Sequence, residues 1–371
     1  MRQFNPILNQ PRSVNGGYAY GLDLLRFAAA LSVVLFHLTW LTPGISLTFP
    51  YGWVGVQIFF VISGVVIANS ASSTSVRKFI VSRARRLYPA AWIAAAISGV
   101  VLFWVPPSEY LSVGIYTAFD ATALVSSVLL FGPYGLYSAF WTLPVEVAFY
   151  AVVAVLLLVK GPAYLKPLGA LLLLISAGYN GLCLLHAIGM ISAPWLDLGY
   201  GLKNALLVRH GVYFALGLYV WSMQQGQFKV MDIPVFILGL ATATIEITLR
   251  AASIAPVYAE NVDVATLASG ALGIFGIALG IIAISVMYSR RLVPPVPWQP
   301  AIRILGLMTY PLYLLHETIG GGIKMLLAQV LLSPLTVVLI GTVCAAIVAY
   351  MVAIWGEPSI RRAMDRRWLP R

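Results

Sequence analysis

The sequence predicts an all-α, polytopic membrane protein with about ten transmembrane helices and both termini cytoplasmic, and three observations predict it. The first is composition: 60% of the 371 residues are hydrophobic and 9% are charged, with a mean hydropathy of +0.90. Soluble domains average roughly 45–50% apolar and about 25% charged residues. So few charges cannot cover a core of this size with water, which makes lipid the solvent for most of the surface. The second is that apolar runs of spanning length recur between Gly, Pro and charged breaks. The third is that the basic residues fall on alternate connecting segments.

The runs lie at about 22–41, 51–70, 88–105, 139–158, 167–190, 204–223, 233–250, 264–288, 304–322 and 334–355. The first reads as a retained helix, because it has full spanning length and no small-residue cleavage site follows it. Residues 122–132 are too short to span and read as a re-entrant or interfacial piece. With the N-terminus inside, the inner segments hold Arg2, Arg12, Arg77, Lys78, Arg83, Arg85, Arg86, Lys160, Lys166, Lys229, Arg290, Arg291, Arg303 and the tail residues Arg361, Arg362, Arg366, Arg367 and Arg371. Lys203, Arg209, Arg250 and Lys324 fall outside, where Glu109, Asp120, Asp197, Glu260 and Asp263 also lie. That imbalance places both termini in the cytoplasm and requires an even number of spans.

Residues 1–371 read as a single transmembrane domain, with a cytoplasmic segment at 1–20 and a basic cytoplasmic tail at 358–371. The net charge of +11 follows this topology pattern and does not form a nucleic-acid-binding stripe. Cys183 and Cys344 sit in apolar runs as packing residues, so neither a disulfide nor a metal site is expected. No internal repeat is visible, which weighs against the two-halved build of many transporters.

Ionisable side chains within spans are expensive, so each is a functional candidate. Arg26 and His37 lie eleven residues apart in GLDLLRFAAALSVVLFHLTW, about 16 Å along a helix and on one face. An imidazole among apolar neighbours stays neutral, the form a general base needs. In FWTLPVEVAFY, Pro144 lies early in the helix and leaves backbone groups unpaired, and Glu146 falls at a depth similar to that of His37. A carboxylate there would fix the histidine tautomer and offset the charge of the imidazolium. Arg83 and Arg86, at i, i+3, share a helix face, and guanidinium forks suit phosphate oxygens; the bland alternative is an ordinary basic inner loop. His316 falls at the outer depth of His37 and stays open between a functional and a structural role, whereas Glu317 reads as an interfacial helix-end residue. His186 and His210 read as locally paired or interfacial, and Glu246 and Arg250, at i, i+4, as neutralising each other. Gly52, Gly55 and Gly64 permit close helix approach.

Together these segments resemble the acyltransferase-3 family of bacterial membrane O-acyltransferases. Arg26 with His37 resembles the family's arginine–ten residues–histidine motif, and YGWVGVQIFFVISGVVI its second-helix signature. SRARRLYPA is similar to its arginine pair ahead of Tyr-Pro, FWTLPVEVAFY to its Trp-Ser-Leu-x-Val-Glu-x-x-Phe-Tyr segment, and YPLYLLH to its late histidine stretch. Gln57 and Val147 stand where many members carry acids. The resemblance implies His37 as the catalytic base, Glu146 as its partner, and Arg26, Arg83 and Arg86 as contacts to an acyl-CoA donor. His316 and Trp141 would lie on the acceptor side. It further implies an inner-membrane O-acetyltransferase that uses acetyl-CoA as donor, a glycan or lipid-linked sugar as acceptor, and no permanently bound cofactor. The competing reading is a multi-pass exporter using the same histidines and glutamate as a proton relay.

Overall fold

The computed structural model describes residues 13–14, 17–132, 134–196, 200–328 and 330–368. Arg2, Arg12, Asp197 and Arg371, used above for topology, lie outside the described residues. A two-residue ribbon, β1 (Ser13–Val14) with β2 (Gly17–Tyr18), precedes an otherwise helical chain. The helices are α1 (Tyr20–Thr39), α2 (Gly55–Ser72), α3 (Val76–Trp104), α4 (Pro107–Ser112), α5 (Ala121–Leu129), α6 (Thr142–Val159) and α7 (Leu165–Ala187). They continue as α8 (Tyr200–Ala205), α9 (Gly211–Gln224), α10 (Ile233–Ile254), α11 (Val264–Met287), α12 (Gln299–Leu326), α13 (Pro334–Met351) and α14 (Glu357–Trp368). The chain is an all-α polytopic membrane protein.

By length and apolar composition, eight helical stretches of the described residues can cross a bilayer, against the ten apolar runs read from the sequence. The expected sixth and ninth spans make the difference. The sixth breaks at Leu207, which adopts a left-handed backbone, into the short α8 and the 14-residue α9. At 1.5 Å per residue α9 is about 21 Å long, short of a hydrocarbon core of about 30 Å. It is buried from Gly211 through Ser222, so protein surrounds it on every face. The ninth, α12, has 28 residues but carries polar groups that the other helices wrap: every residue from Met308 to Thr318 is buried.

Two short elements follow local rules. At nine residues, α5 is as short as the sequence requires, and Asp120 caps it by accepting from the Ala123 N–H at 2.8 Å. Trp92 Nε1 donates to the Val128 carbonyl and Tyr88 to that of Leu129, so α3 ties down its far end. Pro144 falls in the first turn of α6, where N–H groups lack intrahelical acceptors anyway. The expected loss of backbone pairing there therefore costs little. At the other end of the chain, a single π turn (Val352–Gly356) links α13 to α14. Arg85 pairs with Asp365 at 2.8 Å and the Arg361 guanidinium donates to the Arg85 carbonyl, holding α14 against α3.

Small residues set a close helix crossing. A Cβ on Gly64 of α2 would lie 2.4 Å from the Phe214 carbonyl oxygen, and one on Gly217 of α9 would lie 2.2 Å from that of Val61. The two backbones are in direct contact, the device membrane helices use in place of hydrophobic driving force. Gly217→Leu should therefore force α2 and α9 apart at a cost of about 1–3 kcal/mol or more. That loss should appear as a lower apparent melting temperature in detergent. Gly178→Ala, where a Cβ meets nothing within 4 Å, should melt with the wild type or slightly above it. Equal melting of the Gly217→Leu protein would rule out this backbone contact.

Candidate active site

The intramembrane polar residues separate into two neighbouring groups. The first lines a cavity of about 80 Å³ between α1, α2, α3, α6 and α12. Arg26, Arg83, Arg86 and Glu146 all reach it, together with Ser63, Tyr150, Tyr310 and Tyr313. The i, i+3 spacing does place Arg83 and Arg86 on one face, while Arg85 turns away to Asp365. Arg83 lies over the rings of Phe79 (5.8 Å) and Tyr150 (6.0 Å), and Arg86 over that of Tyr310 (5.9 Å). Arg83 Nε and Arg86 Nη1 are buried without a hydrogen-bond partner among the described residues. Buried donors of that kind are costly unless an acceptor arrives.

Glu146 belongs to this group. Its carboxylate accepts from Ser63 Oγ at 3.2 Å and, by a short contact, from the Tyr150 hydroxyl one turn along α6. The expected pairing of Glu146 with His37 is not what the fold builds. Glu146 sits one turn into α6, in the wall of the cavity that the arginines line. Three guanidinium groups, those of Arg26, Arg83 and Arg86, line the same cavity.

The second group surrounds His37. Its Nδ1 lies 2.8 Å from His316 Nε2, and the two ring planes are 10° apart. His316 Nδ1 lies 2.7 Å from the Tyr313 carbonyl oxygen, one turn back on α12. This sequence of contacts assigns the tautomers. A carbonyl can only accept, so His316 Nδ1 carries hydrogen and its neutral ring accepts at Nε2. His37 must then donate from Nδ1, which leaves His37 Nε2 with a free lone pair. Tyr313 also lines the arginine cavity, and its ring centroid stands 6.0 Å from that of His316, so one residue separates the two groups.

Glu317, expected at the interface, is 2% exposed. It accepts from Ser138 Oγ at 2.6 Å and the Ala139 N–H at 2.8 Å, and its Oε1 lies 3.8 Å from His37 Nδ1. The 3₁₀ turn Ser138–Trp141 closes over it, and that tertiary lid is why the helix-end reading fails. The adjacency of His316 and Glu317 was the available signal for it.

Ligating atoms of His37, His316 and Glu317 lie within 4.8 Å of one another, a set that could hold a cation. The 2.8 Å between the two nitrogens is a hydrogen-bond distance, shorter than the roughly 3.3 Å between two ligand atoms on a tetrahedral zinc. The arrangement as it stands accommodates a shared proton.

Trp141 packs 5.2 Å from the His210 ring and 6.2 Å from Phe60. With Tyr116, Tyr134, Tyr137 and Ser138 it lines a cleft of about 360 Å³ beside the Glu317 lid. Glu246 does not depend on its helix neighbour: Arg209 Nε bonds it at 2.7 Å and the Tyr213 hydroxyl at 2.6 Å, with His210 at 3.9 Å and Gln57 beside it. His186 is bound locally, against Ile191 and Ala193. Sequence reading missed Tyr150, Tyr313 and the Arg209–Glu246 contact. Of these, Tyr150, at i+4 from Glu146, and Tyr313, three residues before His316, left a trace in the spacing.

Comparison with known proteins places this arrangement. The family model described as an acyltransferase domain (acyltransferase-3) matches residues 19–354. The chain is 30% identical over 150 residues to BcsY of Komagataeibacter xylinus, which is named as a membrane-bound transacylase; the match covers 37% of this chain and 36% of BcsY. It is 29% identical over 168 residues to nodulation protein 10 of Rhizobium leguminosarum bv. viciae, covering 38% of this chain and 45% of that one. It is also 26% identical over 201 residues to the peptidoglycan O-acetyltransferase OatA of Listeria monocytogenes, covering 49% of this chain and 29% of OatA. These matches therefore span less than half of each relative's length. No solved structure matches. Across nearly its whole length, the chain belongs to the acyltransferase-3 family of membrane acyltransferases.

Proposed function

We propose that this protein transfers an acetyl group from cytoplasmic acetyl-CoA to a hydroxyl of a cell-surface or exported glycan. It would act in the bacterial cytoplasmic membrane with both termini inside. The observation that carries the reading is the bonded order Tyr313 carbonyl, His316, His37, which leaves His37 Nε2 unprotonated, with Tyr313 shared between the histidine pair and the arginine-lined cavity. The unpartnered donors of Arg83 and Arg86 suit the phosphates of the donor, with Arg26 further along the same cavity. At about 80 Å³ the cavity is too narrow for a nucleotide, so the nucleotide stays at the arginine end and the thin thioester arm enters. A glycan acceptor is supported by the peptidoglycan O-acetyltransferase activity for which OatA is named and by the aromatic cleft holding Trp141.

In this mechanism His37 Nε2 takes the hydroxyl proton while the oxygen attacks the thioester carbonyl carbon. The C–S bond then breaks, and the CoA thiolate recovers the proton from the imidazolium. His316 is a positioning residue that holds His37 in the reactive tautomer. Glu317 replaces Glu146 as the carboxylate facing the imidazolium, in the manner of a buried triad acid. Glu146 holds the arginine cluster together.

His37→Ala should lower transfer by about 100-fold to 10,000-fold in a protein that still binds acetyl-CoA. His316→Ala should lower kcat strongly with little change in either KM, because the base loses its tautomer and not its substrate contacts. Glu317→Gln should lower kcat more than Glu146→Gln does, and Glu146→Gln should mainly raise KM for the donor. Steady-state transfer by stability-checked variants reads these differences; near-normal turnover without His37 would remove the active site from this position.

Arg83→Ala with Arg86→Ala should raise the acetyl-CoA KM by about 10-fold or more, the loss expected for charge-assisted hydrogen bonds. Lys at both positions should restore it only in part, since the bidentate fork is gone. An unchanged donor KM in the double Ala variant would leave the pair a topological role alone.

For orientation, a cysteine placed at Glu109 should react with an impermeant thiol reagent added from outside, and one at Lys78 should not. The reverse labelling would invert the protein and sever the donor site from the cytoplasm.

A further inference from the structure

The arginine-lined cavity holds a further group that the chain itself leaves unused. Four of its polar side chains are committed inside the protein. Ser63 Oγ and the Tyr150 hydroxyl donate to Glu146, Thr309 Oγ1 to the Leu305 carbonyl at 3.1 Å, and Thr142 Oγ1 to the Ala139 carbonyl at 3.4 Å. Tyr310 differs from these four. It lines the same cavity and is 9% exposed, yet its hydroxyl is buried with no hydrogen-bond partner among the described residues. The groups within electrostatic reach of it include Glu146, Tyr150 and Arg86, all three in the cavity wall. A buried hydroxyl in that state destabilises the empty protein and is relieved only when an acceptor enters.

The place of Tyr310 along α12 tells which acceptor. Arg86 lies over the Tyr310 ring, 5.9 Å from its centroid, so the residue stands at the arginine end. Tyr313 follows at i+3, and His316, which its carbonyl bonds, at i+6. At 1.5 Å per residue the levels of Tyr310 and His316 are about 9 Å apart. With the donor's phosphates at Arg83 and Arg86 and its thioester at His37, the part that passes Tyr310 is the uncharged arm between them. That arm carries two amides, and an amide carbonyl drawn out of water into this cavity needs a hydrogen-bond donor.

We propose that the Tyr310 hydroxyl binds the acyl donor by giving a hydrogen bond to an amide carbonyl of the pantetheine arm. The inference rests on the acyl-CoA reading above and adds to it a contact that reads the arm and not the phosphates.

The test uses the full chain, wild type and Tyr310→Phe, with three acetyl donors. They are acetyl-CoA, S-acetylpantetheine, which keeps both amides and lacks phosphate, and the acetyl thioester of mercaptoethanol, which lacks both. Transfer is read as kcat and KM for each donor, CoA binding by calorimetry, and unfolding by melting in detergent. Tyr310→Phe should raise KM about 10-fold for acetyl-CoA and S-acetylpantetheine alike, the loss expected when an amide carbonyl is left without its donor. Its kinetics with the mercaptoethanol thioester should match the wild type. Arg83→Ala with Arg86→Ala should show the complementary pattern and lose affinity for acetyl-CoA alone. The empty Tyr310→Phe protein should melt at or above the wild type, because an unpaired buried hydroxyl has gone, while CoA should raise its melting temperature less. A loss confined to acetyl-CoA would move the contact to a phosphate and overturn the amide assignment. A loss shared by all three donors, with lower melting, would make Tyr310 a packing residue and overturn the proposal, as would unchanged kinetics throughout. Wild-type protein that neither binds CoA nor transfers from any of the three would instead overturn the acyl-CoA reading itself, and this contact with it.

Discussion

Everything in this fold depends on the obligation to satisfy polar groups on α12 within a lipid solvent. His316, Glu317, Thr318 and Lys324 all lie on this one helix and are all buried. Each would cost several kcal/mol if left unpaired in hydrocarbon. The surrounding elements therefore converge on it. Ser98 and Tyr110 bond Thr318 from α3 and α4, the turn before α6 bonds Glu317, and α1 supplies His37 to His316 and the Leu38 carbonyl to Lys324. A helix too polar for the bilayer becomes the post around which apolar helices assemble.

That constraint also explains how the proposed base can sit in the membrane. The Tyr313 carbonyl fixes His316, which in turn fixes His37. Each imidazole nitrogen used in the relay has a bonded partner, and the nitrogen left over is the one available for chemistry. The guanidinium groups follow a different logic. Arg83 and Arg86 rest on aromatic faces with some donors unused, an arrangement that is costly alone and favourable once an anion enters. One buried site is thus complete within the chain, and the other is left for a ligand to complete.

Much of this was legible because the bilayer imposes strong local rules. Span length, the excess of arginine and lysine on alternate segments, and the i, i+3 spacing of Arg83 and Arg86 all act on residues near in sequence, and each could be read one segment at a time. The same rules read α9 and α12 as spans like the others, since a hydropathy window cannot tell a helix that faces lipid from one that faces other helices. They misjudged Glu317, whose position near a helix end is interfacial unless a distant turn covers it.

The sequence by itself determined the membrane class, the helix-forming segments, the residues expensive enough to matter, and which arginines share a face, because each follows from composition or from spacing within one helix. Only the tertiary structure decided who meets whom. His37 and Glu146 share an apparent depth, yet helix rotation and the position of Glu146 within α6 direct it to the arginines. His316 and Glu317, 279 and 280 positions beyond His37, take its place beside the ring. Depth along the membrane normal is written in a sequence, but azimuth about each helix axis relative to its neighbours is set by packing among all of them.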